Sequence, residues 1–317
     1  MQNAQAVMNG IVDNIGKVIF GKRRAVELTV IALVCRGHIL VEDVPGVGKT
    51  SLVAALARSV DSSFRRIQFT PDIMPSDITG FSMYNPKTGE FDYREGLVLR
   101  SFVLADEINR ASPKTQASLL EAMEENTVTV DGTAHHVPQP FMVMATQNPT
   151  EYVGTYPLPE AQMDRFMMRI SIGYPSKEEE IGILQRFRLD EPLAGLSPAA
   201  SGEQVLQIQE AVRGVYVDNS LYDYIVSITQ ATRAHPDVEL GASPRGSLSL
   251  FRAAQAWALY MGREYAVPDD IRLMAPHVLS HRLILRQDAR LRGASAAAAV
   301  QSVLASLPVP RGRVNEG

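Results

Sequence analysis

The chain has 317 residues, 45% hydrophobic and 21% charged, a balance that suits one large or two ordinary globular domains with a full apolar core. Cys35 is the only cysteine, which excludes an intrachain disulfide and a Cys-rich zinc site. A net charge of −4 argues against a protein built mainly to grip nucleic acid, the start MQNAQAVMNG does not read as a signal peptide, and no apolar stretch reaches the ~18 residues of a membrane span, so a cytoplasmic protein is expected.

Through about residue 185, strand-like and helix-like segments alternate. Residues 38–42 (HILVE) form an apolar run, followed by a loop and then by Leu52, Val53, Leu56, Ala57 and Val60 at helical spacing. Residues 80–96 place the turn cluster Asn85-Pro86-Lys87-Thr88-Gly89 between Phe- and Tyr-bearing flanks, which reads as a hairpin. The apolar run Ser101–Ala105 ends in Asp106-Glu107. A helix follows, with Ser112 as N-cap, Pro113 at its first position and an inward stripe of Gln116, Leu119, Leu120 and Met123. Residues 127–137 alternate about Asp131-Gly132, a second hairpin. The run Phe141–Ala145 ends in Thr146-Gln147-Asn148. Strands alternating with helices predict an α/β fold, a parallel sheet with helices on both faces.

After Pro175 the pattern changes. Ser176-x-x-Glu179 is a capping box opening a helix, and residues 189–201 (LDEPLAGLSPAAS) read as a linker. Helices are predicted at about 202–213, 219–233, 244–262 and 268–281, with Ser201-x-x-Gln204 capping the first and Ser243-Pro244 starting the third. No strand pattern is visible there, so an α/β core over 1–190 and a separate all-helical domain over 191–317 are expected. Residues 281–317 hold Arg282, Arg286, Arg290, Arg292, Arg311 and Arg313 against Asp288 and Glu316. With no aromatics interleaved to stack on bases, this reads as a solvated helix face and a loose tail rather than a nucleic-acid patch.

Residues 43–50, Asp-Val-Pro-Gly-Val-Gly-Lys-Thr, lie after a strand and before a helix. Gly46 and Gly48 allow the backbone to curl around phosphate oxygens, and the helix N-terminus faces the anion. Lys49 would reach the β- and γ-phosphates of ATP, and the Thr50 hydroxyl would ligate Mg²⁺. The general pattern has glycine where this chain has Asp43, and a structural turn with an exposed lysine is the plainer alternative. Asp106 would hold Mg²⁺, mostly through water, and Glu107 would polarise the attacking water; the alternative is a solvated acidic turn. Asn148 could orient the same water, or satisfy a turn before Pro149. His277 and His281 stand at i, i+4, half of a zinc site, but no third ligand is evident. His135 and His136 read as hairpin surface residues.

Taken in order, these parts resemble the MoxR family of AAA+ ATPases. The resemblance is carried by Glu42 through Thr50, by Asp106-Glu107-Ile108-Asn109-Arg110-Ala111, by Ala145-Thr146-Gln147-Asn148-Pro149, by Leu158 through Phe166 and by Ser243-Pro244-Arg245. It spans about residues 10 to 290. It implies a P-loop core with two inserted hairpins and a helical lid, ATP bound between core and lid by Asp43, Val44, Pro45, Gly46, Val47, Gly48, Lys49, Thr50 and Ser51, and a metal on Thr50 and Asp106. It implies Asn148 as the water-positioning sensor, Arg165 as a finger to the neighbouring subunit's γ-phosphate, with Arg169 a second candidate, and Arg245 as a second sensor. Without the resemblance, Arg165 reads as a salt-bridged arginine with Asp164 or Glu160. A homo-oligomer, with a hexameric ring the expectation, and a partner with a von Willebrand factor A domain are implied too, with chaperone-like remodelling, maturation or metal insertion as the task. A chelatase motor, a DNA helicase or loader, and a non-hydrolysing ATP-bound scaffold are the alternatives.

Overall fold

The structure, a computed structural model, describes residues 2–147, 155–187 and 192–310. Helices α1 (Gln2–Gly16) and α2 (Arg23–Val34) precede the first strand. Then come β1 (Ile39–Glu42), α3 (Lys49–Ser59), β2 (Phe64–Gln68), the short helix α4 (Pro75–Thr79), the hairpin β3 (Gly80–Asn85) and β4 (Glu90–Glu95), and β5 (Phe102–Asp106). A 3₁₀ turn (Ile108–Arg110) leads into α5 (Pro113–Glu125), the hairpin β6 (Thr127–Val130) and β7 (Thr133–His136), β8 (Met142–Gln147), α6 (Glu160–Met163), β9 (Met168–Ile170) and α7 (Lys177–Phe187).

Strands β2, β5, β8, β1 and β9 form one sheet in that order, every pair parallel. Parallel strands covered on both faces must be apolar on both, and β5 is buried at all of its positions. Alternation sorts their side chains. Ile39, Val41, Phe102, Leu104, Met142 and Met144 enter the core under α1, α2 and α3. Leu40, Val103, Ala105, Val143 and Ala145 enter a second core with Leu119, Leu120 and Met123 of α5. Both hairpins form where the sequence places them. Asp131 and Gly132 turn the second at φ 49° and 79°, the left-handed pair that a two-residue turn demands. His135 of β7 stacks on Tyr93 of β4, ring centroids 3.6 Å apart, so the two hairpins touch.

The C-terminal part holds α8 (Gly202–Arg213), α9 (Asn219–Ala234), β10 (Val238–Leu240), α10 (Pro244–Tyr260), α11 (Pro268–Leu279), β11 (Ile284–Leu285), α12 (Gln287–Leu291) and α13 (Ala296–Ser306). It is not all-helical: β10 and β11 pair antiparallel. Strands this short show no readable alternation in sequence. Nor is its core separate. Buried residues of α8 to α11 and of α13 join those of α1, α2 and β1 in one apolar cluster.

Arg282, expected on a solvated face, is buried in the joint between the two parts. It bonds Asp164 at 2.7 Å, the Phe166 carbonyl at 2.7 Å and the Met167 carbonyl at 3.1 Å. Burial pulls its pKa down to about 10 even with Asp164 beside it. Arg292, in contrast, lies on the surface and pairs with Asp237 and Asp288. Arg311 and Arg313 lie outside the described residues. His281 bonds the Phe166 carbonyl at 3.0 Å, and burial next to Arg24 lowers His277 to about 4. Among the described residues no group of three or more His, Cys, Asp or Glu side chains could hold a metal.

His38 makes a pH prediction. The Val143 N–H donates to its Nδ1 at 3.0 Å, so Nε2 carries the proton given to the Met123 carbonyl, also at 3.0 Å. Burial lowers its pKa to about 4. A depressed histidine favours the fold fully above its unfolded value and loses that contribution as pH falls from about 6.5 towards 4, up to ~3 kcal/mol. In urea titrations, His38→Gln is expected to be less stable at pH 8 yet to lose less stability between pH 7 and 4. An unchanged acid slope would contradict this.

Candidate active site

The loop after β1 takes the path its glycines allow. Gly46 and Gly48 sit at φ 84° and 91°, and a side chain at either would be strained. Gly48 is the N-cap of α3, so the first N–H groups of that helix open onto the loop. Pro45, Gly46, Gly48, Lys49, Thr50 and Ser51 line a cavity of about 390 Å³. Asp43, Val44 and Val47 do not. The Lys49 ammonium donates to the Asp43 carbonyl at 3.1 Å, folded back over its own loop.

Asp43 serves the fold at this spot. Its buried carboxylate accepts from Ser171 Oγ at 3.0 Å, from the Ile172 N–H and from the Gly173 N–H at 3.2 Å. The residue that departs from the general loop pattern therefore ties the loop to the chain leaving β9.

The far wall of the cavity is acidic. Asp106 ends β5, with one oxygen accepting from Thr146 Oγ1 at 2.7 Å and the other from Arg66 at 2.6 Å. Glu107 holds a left-handed backbone, φ 56° and ψ 48°, uncommon for a side-chain-bearing residue. Its N–H donates to Thr146 Oγ1 at 2.8 Å, and its carboxylate accepts from Gln68 at 2.8 Å and Arg110 at 3.1 Å. Arg66 also donates to Gln68 at 2.9 Å, closing a ring of bonds around both acids. Arg66, Gln68 and Thr146 were absent from the expected site. For Arg66 and Gln68 the signal was slight: polar residues at alternate positions of β2, whose register sets Gln68 beside Asp106. Thr50, Asp106 and Glu107 present hard oxygen donors in one cavity, a set that fits Mg²⁺. Asn148 lies outside the described residues.

Behind the loop, Ile19 stands 3.8 Å from where a Gly48 side chain would begin. Val12, Ile19, Phe20 and Gly21 line a neighbouring cavity of about 290 Å³ together with Arg186, whose guanidinium lies over the Phe20 ring. This cavity too went unread in the sequence, for it joins α1, the turn after it and α7.

Arg165 and Arg245 are elsewhere. Among the described residues the cavity at the loop takes no residue of the helical part. Both arginines line a cleft of about 570 Å³ with Gly37, His38 and Met123, at the N-terminal ends of the strands. Arg165 pairs with Glu124 at 3.1 Å, not with Asp164 or Glu160, and Arg245 pairs with the same carboxylate. Arg169 pairs with Glu42 at 2.9 Å.

Residues 38–168 match the family described as ATPases associated with various cellular activities (AAA), and residues 230–303 match the AAA lid domain. The chain is 50% identical to the uncharacterized protein YeaC of Bacillus subtilis over 98% of its own length and 97% of that protein's. It is 43% identical to the chaperone MoxR1 of Mycobacterium tuberculosis over 93% of its own length and 80% of that protein's. The crystal structure of a candidate ATPase from Cytophaga hutchinsonii superposes with a TM-score of 0.91 at 38% identity, covering 98% of this chain and 97% of that one.

Asp43→Gly would restore the general loop pattern and remove the anchor. It is expected to lower stability by ~2–4 kcal/mol, from lost charge-assisted bonds and unpaired N–H groups, with a matching fall in the thermal midpoint. A neutral or stabilised variant would contradict that role.

Proposed function

The chain belongs to the MoxR family of AAA+ ATPases, and on that premise we propose that it hydrolyses ATP with Mg²⁺ at sites shared between copies, to remodel a partner protein. One observation carries the shared site. Lys49, Asp106 and Glu107 stand at the C-terminal edge of the sheet, whereas Arg165 and Arg245 stand at the N-terminal edge. The five residues of β5 span roughly 17 Å. The thirteen residues of α5, which run back from the acidic edge to Glu124, span roughly 20 Å. No rotamer change brings either arginine to its own Lys49. A second copy, set head to tail, would meet that lysine with these arginines.

Each residue then has a task. The glycine loop and the α3 N-terminus cradle the phosphates, while Lys49 leaves the Asp43 carbonyl to meet the terminal ones. Bound at Thr50 and Asp106, Mg²⁺ would neutralise phosphate charge. Arg66 must shift or share Asp106 to allow it. Glu107, aimed by Thr146 and held by Gln68, accepts a proton from the attacking water. The adenine of ATP would lie beside Ile19 and Phe20, which line the neighbouring cavity. From the next copy, Arg165 and Arg245 offset charge on the transferring phosphoryl group.

Support for remodelling comes from the first hairpin. Phe81, Met83, Tyr84 and Phe91 are exposed on it, Phe91 at 71%, which suits contact with a partner rather than the chain's own core. The Tyr93–His135 stack couples the two hairpins, so they would move together.

Mixing variants tests the shared site. Arg165→Ala and Lys49→Ala are each expected to hydrolyse at least ~10³-fold more slowly than the parent. Mixed, they should recover part of the rate, because intact loops then face intact arginines. Mixtures no faster than the separate variants would overturn the shared-site reading.

A further inference from the structure

Glu124 has no part in the chemistry above, yet its geometry is specific. One oxygen accepts from Arg165 of the core at 3.1 Å and the other from Arg245 of the lid. The carboxylate thus bridges two guanidiniums that come from segments 80 residues apart (245 minus 165). Its position is costly to the helix that carries it. Glu124 lies in the last turn of α5, which has no basic residue, and an acid there opposes the helix dipole. Local helix stability therefore does not account for it.

The layer beneath explains why the three groups meet. Asp164, next to Arg165, accepts from Ser243, two residues before Arg245, at 2.8 Å and from buried Arg282 at 2.7 Å. This inner layer pins the two backbone segments together. It does not fix the guanidiniums, which are long, partly exposed and of like charge. Left alone they would repel and sample many rotamers. A carboxylate between them offsets the repulsion and fixes one arrangement.

We propose that Glu124 is a positioning residue that sets Arg165 and Arg245 side by side, so that both enter the neighbouring copy's site as one preorganised unit; this rests on the shared-site reading above. Glu124 touches no substrate. It acts by removing the cost of ordering two charged side chains when the copies dock. Its influence belongs to the arginine face and not to its own phosphate loop.

The test uses the full chain under assembling conditions, with Glu124→Ala and Glu124→Gln beside Arg165→Ala and Lys49→Ala. Particle mass by light scattering, ATP affinity by fluorescence, kcat and KM are measured. The expected result is a fall in kcat on the order of 10- to 100-fold, with mass, affinity and KM close to the parent's. Mixed with Lys49→Ala subunits, whose arginine face is intact, Glu124→Ala should regain rate. Mixed with Arg165→Ala subunits it should not. Adding Glu124→Ala to Arg165→Ala should cost little more, since the ordered unit is already lost. An undiminished or raised kcat in both Glu124 variants, with Arg165→Ala inactive, would overturn this inference and leave the shared site standing. A fully active Arg165→Ala would remove the shared-site reading itself. If neither Glu124 variant assembles or keeps its affinity, the residue is structural and the inference is wrong.

Discussion

A parallel strand has two ends, and in this chain they carry different chemistry. Crossovers through helices bring every strand of the sheet back in the same direction, so everything that follows a strand gathers at one edge and everything that precedes one gathers at the other. The glycine loop follows β1, the acidic pair closes β5 and begins the turn after it, and Thr146 lies near the end of β8. Glu124 lies in the last turn of α5, which has run back to the opposite edge, and Arg165 lies just before β9. A strand's length of packed sheet separates the two sets. That distance makes each copy incomplete in the proposed mechanism.

The joint between core and lid is the second constraint. Arg282 is a buried cation, costly unless fully paired, and it is paired: Asp164 meets its charge, and the backbone carbonyls of Asp164, Phe166, Met167 and Val278 accept from its remaining N–H groups. Such a joint fixes the lid against the segment that enters β9. It also fixes where the lid presents Arg245. Fold stability and site geometry therefore meet in one cluster of charges, and the apolar cluster shared by α1, α2 and the lid reinforces it.

What the sequence made legible was local. The glycine loop, the acidic strand end, the Ser112 cap and both hairpins are each written in fewer than twenty consecutive residues, and each is where its pattern places it. What it hid was register and long-range pairing. Arg66 and Gln68 join the site only because β2 lies beside β5, and Thr146 only because β8 does. Arg282 looks like one of several surface arginines until the chain folds. Asp43 looked like a departure from the loop pattern; its partners lie 128 to 130 positions on. Helix α2 is buried from Leu28 to Val34 and so shows no polar stripe to mark it as a helix. Glu124 was invisible for the same reason as Arg282, because a shared partner is a fact of three dimensions.

In the proposed mechanism hydrolysis belongs to the contact between copies and not to the single chain. The most direct measurement is the rate of ATP hydrolysis per subunit across a dilution series, with particle mass followed in the same samples. The account predicts that the rate per subunit falls on dilution in step with loss of the assembled form. A rate per subunit that stays constant while the particles dissociate to monomers would contradict it.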